Sequence, residues 1–188
     1  MKDKKEKTEN KKVIYIAFIS SFILLLVAYN FYNSDLPNKN NVTQLKGILK
    51  ENIILKKGRR GSKTLIITLQ EYPKISFTIG SVSLRQTYEQ ELLDENKIGD
   101  SISFFVENQE FKRKILKTEK IPFPENYLHS EKIPIVEINS KSKNYLTIDD
   151  YNKEHKENNY LAIAFFGFFG LFMAFLGIKN VEYHKKNF

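Results

Sequence analysis

The chain contains no cysteine and no tryptophan. The first absence excludes disulfide frameworks, thiol nucleophiles and cysteine-based zinc sites. Histidine is scarce. His129, His155 and His184 are the three present, and none stands at ligand spacing from another, so no metal site is expected. Glycine is sparse too, with eight residues, and no phosphate cradle can be drawn from them. Gly58-Arg59-Arg60-Gly61 lacks both the spacing and the Lys-Ser/Thr ending of a P-loop. No nucleophile elbow occurs, and Ser140-Lys141-Ser142-Lys143 reads as a turn. Asp149-Asp150 and the group Glu89, Glu91, Asp94 and Glu95 read as a helix cap and a solvated helix face. The sequence therefore offers no catalytic, cofactor-binding or metal-ligating residues, and no enzyme activity or cofactor is expected.

Charge is missing from two stretches, residues 13–32 and 160–178. A bilayer core needs about 20 apolar residues in a helix, and a chain in lipid must satisfy its own backbone hydrogen bonds. Both stretches read as transmembrane helices on those grounds. A core helix apolar on every face would need a large protein around it, which 188 residues with 28% charged side chains do not supply. A basic head of six lysines (Lys2, Lys4, Lys5, Lys7, Lys11, Lys12) precedes the first stretch. An uncleaved signal anchor suits it better than a signal peptide. The apolar run exceeds the roughly 7–15 residues of a signal core, and Ala28-Tyr29-Asn30 is a poor cleavage match.

Flanking lysines set the expected orientation. The tails, residues 1–12 and 179–188, are both basic, so both are expected in the cytoplasm. Residues 42–148 then form an extracytoplasmic domain on a cell membrane, tethered by a linker at 33–41 and a polar helical stalk at 149–159. Tyr15, Tyr29, Tyr32, Tyr160 and Tyr183 sit near the span ends, where amphipathic rings favour the headgroup zone. The second span carries small residues on one helix face: Ala164, Gly167, Gly170, Ala174 and Gly177. Ala17, Ser21 and Ala28 form a similar face on the first. Small residues let helices approach closely in lipid, so packing between the spans or self-association of the second is expected.

The formal net charge is +8, mostly from lysine, with Arg59, Arg60, Arg85 and Arg113 the four arginines. A chain rich in Lys, Phe, Ile and Asn has the composition of an AT-rich bacterial genome. Between the spans the hydrophobic period is mostly two. Residues 43–55 are β-prone, 58–62 form a turn, and 64–70 and 75–79 alternate as half-buried strands. Leu84, Tyr88 and Leu92 then recur every fourth residue, which predicts a helix of about three turns. Alternation returns at 102–106 and is expected again over 111–116. Residues 135–138 and 145–148 would add a hairpin. Thr147-Ile148-Asp149-Asp150 has the form of a capping box.

Three strands, a helix and two strands over residues 43–116 resemble the OB-fold, a five-stranded partly open barrel. The predicted class is thus a membrane α protein with a mainly β, α+β soluble domain. The whole layout resembles the small two-pass bacterial membrane proteins that carry a barrel-like domain between their spans, a resemblance that implies no activity. The expected function is binding or scaffolding through protein or envelope contacts. The alternatives are a signal relay through the second span, or a membrane-bound enzyme whose site assembles only in the fold. Arg59, Arg60, Lys112, Arg113 and Lys114 are the candidate contacts with headgroups or a partner. Each cation near an anionic surface contributes about 1 kcal/mol. A nucleic-acid partner is not expected, because the outward strand residues are Thr, Ser, Gln and Lys rather than the aromatics on which bases stack.

Overall fold

Two helices take up the apolar stretches in the computed structural model, which describes residues 2–140 and 143–187, with only the backbone described for residues 2–6 and 60. Helix α1 (Lys2–Tyr32) includes the basic head, and helix α5 (Ile148–Asn187) includes the polar segment before the second stretch and the basic tail after it. Proline, which would break either helix, is absent from both. Both helices are long and apolar enough to cross a membrane, and only 17% and 11% of their apolar windows are buried. That exposure separates them from the core helices of a soluble protein, which bury their apolar faces.

One compact unit holds residues up to Asp35 and from Lys156 onward. Within it, Ala17, Ser21 and Ala28 of α1 are buried. Ser21 Oγ donates to the carbonyl of Gly170 at 2.8 Å, and Phe31 stacks on Phe166. A Cβ at Gly170 would lie 2.8 Å from the Leu25 side chain and 3.3 Å from its backbone nitrogen, whereas one at Gly167 would meet nothing within 4 Å. Gly170→Val therefore overpacks the helix pair and is expected to cost about 1–3 kcal/mol. Gly167→Val leaves that contact untouched. Thermal loss of helical circular dichroism in the detergent-solubilised full chain measures the difference, and equal midpoints would remove Gly170 from the packing seam.

The second unit, Leu36–His155, is a mixed sheet with short helices. Strand β1 (Val42–Ile48) is followed by β2 (Ile54–Lys57), β3 (Lys63–Ile67), β4 (Ser76–Ile79), helix α2 (Glu89–Glu95), β5 (Ser101–Glu107), the short α3 (Asn108–Glu110), α4 (Glu125–Leu128), β6 (Lys132–Ser140) and β7 (Lys143–Leu146). The sheet runs β1-β5-β6-β4-β3-β2, with β7 added beside β6. All pairs are antiparallel except β4 with β6. The chain just past β1 also pairs with the chain just past β3. Leu49 bridges Leu69, Lys50 donates to Thr68 and Gln70 to Ile48. Here β1 passes close over the end of β3, where a Cβ on Gly47 would come within 2.8 Å of Leu69. The inward residues of this path, among them Leu45, Leu65, Ile67, Phe77, Ile79, Ile102, Phe104, Ile133 and Ile135, form the core.

The two long apolar helices and the α+β layout match the expected class. Four local expectations need correction. Residues 43–55 divide into β1 and β2. The helix expected around Leu84, Tyr88 and Leu92 is a 3₁₀ turn (Ser83–Gln86) followed by α2, and Tyr88 is exposed. Residues 111–116 are no strand. Phe111–Leu116 winds as a π-helix, because Phe111 and Ile115 share a helical face that packs on the core, and Glu110 meets Lys114 one turn on. The strand that pairs with both β4 and β5 is instead β6, from the region expected only to supply a hairpin. Lys141 and Ser142, at the expected hairpin tip, lie outside the described residues.

Half of the expected capping box is present in the geometry, the Thr147 side-chain cap. The Asp150 amide donates to Thr147 Oγ1 at 3.1 Å, and that hydroxyl donates to the Asp150 carboxylate at 2.7 Å. Helix α5 therefore starts inside the sheet unit.

Candidate functional site

Alternation along β3, β4 and β6 sends one set of side chains inward and leaves Thr64, Ile66, Ser76, Thr78, Lys132 and Pro134 outward. Register brings these together, with Ile66 opposite Thr78, Thr78 opposite Pro134, and Ser76 opposite Lys132. Lys56 of β2 adds a cation at one side. Glu125 of α4 and His129, which ends it, close the other. The result is a groove of about 680 Å³ on the outer face of the sheet.

Its chemistry is cationic and rich in hydroxyls. Among the described residues Glu125 is its sole carboxylate, and its Oε1 lies 2.6 Å from Lys114 Nζ. Lys56 and Lys132 form no ion pair among the described residues. The hydroxyls of Thr64, Ser76 and Thr78 likewise make no hydrogen bond there. Unpaired ammonium groups over free hydroxyls suit an oxyanion carrying further polar groups. Among the described residues, no phenylalanine or tyrosine lines the groove.

Beneath its edge lies a buried ionic cluster. Lys114 Nζ reaches Glu110 at 2.5 Å, Glu125 at 2.6 Å and the Lys132 carbonyl at 2.6 Å. Burial, and then the Glu110 carboxylate, push the Glu107 carboxyl above its usual range, while Arg113 opposes that shift. The sequence groups Lys114 with the surface cations, and its burial corrects that expectation. Its side chain is 1% exposed, and its partners consume its donors. Arg113 is largely buried beside Glu110. Lys112 is exposed and 3.7 Å from Glu119. Arg59 lies in the turn Arg59–Gly61, in a shallow hollow with Lys63 and Arg85, and Gly61 supplies the positive φ of 77° that turn needs. The side chain of Arg60 lies outside the described atoms. Of the small-residue stripe, Gly170 and Gly177 are buried, Gly167 and Ala174 half-buried and Ala164 exposed.

Two other polar groupings serve the fold. Ser83 Oγ lies 3.0 Å from His155 Nε2, and the imidazole stacks on Tyr151. Burial holds the His155 pKa below its usual value. Glu154 takes Gln86 at 3.0 Å and faces Arg85 at 3.5 Å. Ser83 is 3% exposed and lies away from the groove, so this hydroxyl–imidazole pair docks the start of α5 against the 3₁₀ turn. On α2, Glu91 and Glu95 bind Lys143, and Glu95 accepts from the Tyr145 hydroxyl. Part of the carboxylate group read as solvated thus ties α2 to β7.

Sequence reasoning placed the outward Thr, Ser and Lys of β3 and β4 but did not assemble a groove. Lys132 and His129 carried no local signal, since they meet β4 only through the parallel pairing with β6. No protein-family model and no curated protein matches this sequence.

Proposed function

We propose that the chain is a membrane-anchored binding module. Helices α1 and α5 span a cell membrane, both termini lie in the cytoplasm, and the sheet unit works outside it through envelope or protein contacts. The observation that carries the binding role is the groove, where Lys56 and Lys132, unpaired among the described residues, stand over the hydroxyls of Thr64, Ser76 and Thr78. The strand order supports an OB-like barrel. A bent first strand (β1 with β2) pairs with both β3 and β5, a helix separates β4 from β5, and β4 runs parallel to β6. In that reading the groove lies on the face of the second and third strands, where such barrels take ligands. The floor between the strands, without phenylalanine or tyrosine among the described residues, disfavours bases stacked there.

A photo-reactive residue at Thr78, in the full chain in native membranes, is expected to give a discrete adduct. The same residue at exposed Gln90, which does not line the groove, is expected to give none. Equal labelling at both positions would remove the groove from the function. Reporter fusions within residues 42–148 are expected to be active only outside the cytoplasm, and cytoplasmic activity would reverse the orientation.

A further inference from the structure

A contiguous apolar cluster stands in solvent on the loop that borders the groove. Phe123 is 82% exposed, Tyr127 79% and Leu128 64%. The rings of Phe123 and Tyr127 meet edge to face at 6.2 Å. Large apolar side chains gathered in solvent mark a surface that something covers. The same one-turn helix faces two ways. Glu125 and the following His129 line the groove, while Tyr127 and Leu128 project from it.

Lysines and carboxylates both flank the cluster: Lys117, Lys120 and Lys132 against Glu119, Glu125 and Glu131, with Glu125 held by Lys114. Lys117 and Lys120 are exposed in the loop, and the nearby Glu119 is engaged by Lys112. Across the groove, the hairpin of β2 and β3 carries Lys56, Lys57, Arg59, Arg60 and Lys63, with no acidic residue between Glu51 and Glu71 in the chain, and of these Lys63 is paired with Glu89 at 3.3 Å. A cationic, hydroxyl-floored groove with an aromatic and aliphatic rim matches an anionic amphiphile. A soluble anion would leave the rim uncovered.

We infer that the groove takes the headgroup of an anionic phospholipid, with Phe123, Tyr127 and Leu128 against its glycerol and acyl region. Lys56 and Lys132 meet the phosphate, and Thr64, Ser76 and Thr78 hydrogen-bond the polar head. Aromatic rings flanked by lysines favour the interfacial zone of a bilayer. The inference rests on the membrane-anchored reading and names the ligand class of its groove.

The absence of tryptophan supplies the test. Tyr127→Trp puts a single reporter at an exposed position. The full chain carrying it is placed in nanodiscs of phosphatidylcholine alone, of phosphatidylcholine with phosphatidylglycerol, and of phosphatidylcholine with soluble glycerol phosphate. A blue shift and quenching by brominated acyl chains are expected only with phosphatidylglycerol. Lys56→Gln with Lys132→Gln is expected to raise the phosphatidylglycerol fraction needed for half the shift. At about 1 kcal/mol per cation, headgroup affinity falls roughly 30-fold. Identical emission with and without phosphatidylglycerol would overturn the inference. So would a shift with soluble glycerol phosphate, which would assign the groove to a free phosphate, or a shift unaffected by the double substitution. Failure to enter nanodiscs would instead count against the anchored reading. Discs expose both faces, so the outcome does not depend on the domain's cellular side.

Discussion

Lys114→Met is expected to destabilise the sheet unit by about 3 kcal/mol, at the lower end of the range for breaking a buried ion pair. The substitution keeps the aliphatic volume but removes the only cation held between Glu110 and Glu125. Glu110 is 12% exposed and keeps only Arg113, at 3.9 Å, as a counter-charge, with the Lys132 carbonyl losing a donor beside it. Glu125 is 28% exposed and recovers part of its hydration, which keeps the cost from reaching the top of the range. Hydrogen exchange of β6 amides in the full chain, measured under native conditions, reads the change directly. Adding Glu110→Gln to Lys114→Met is expected to restore part of the loss, because it removes the under-compensated charge. A change below about 1 kcal/mol would show that water already screens the cluster.

Phe104→Ala is expected to cost about 3–5 kcal/mol, the range for deleting a buried aromatic side chain. Phe104 is fully buried in β5, opposite Leu45 of β1 and Ile138 of β6. Its ring lies 4.7 Å from that of Phe77 in β4. The cavity would therefore open between strands from both ends of the unit, and few neighbours are free to collapse into it. Phe104→Leu retains more of the volume and should lose less. Exchange protection falling in the order wild type, Phe104→Leu, Phe104→Ala across β1, β5 and β6 is the expected pattern. Unchanged protection in Phe104→Ala would place the ring outside the cooperative core.

These predictions concern residues that the sequence conveyed unequally. Phe104 alternates with Ser103 and Phe105, so its inward position follows from the period of a strand. Phe77 reads as core for the same reason. Lys114 carried the opposite signal. It stands between Arg113 and Ile115 in a basic run, which reads as surface charge. Residues 111–116 misled because two periods fit a short segment with few apolar residues, and contact with the core favoured the helical one. The groove was half legible. Its floor hydroxyls follow from strand alternation, but Lys132, His129 and Glu125 come from beyond the connection after β5.

Local interactions carried what the sequence alone determined: the two apolar helices, the alternation of β3, β4 and β5, the Gly-containing turn at Arg59–Gly61 and the Thr147 cap of α5. Each depends on residues within a few positions of one another, or on composition along one segment. Only the tertiary structure decided that β6 is the strand between β4 and β5, that Lys114 is buried, and that cations and hydroxyls share a groove beside an apolar loop. Those features arise where Ser76 meets Lys132 and where Lys114 meets Glu125, pairings set by strand register and by the packing of a long connection. No local periodicity encodes them, because burying the common core selects one long-range arrangement from many that share the same local pattern.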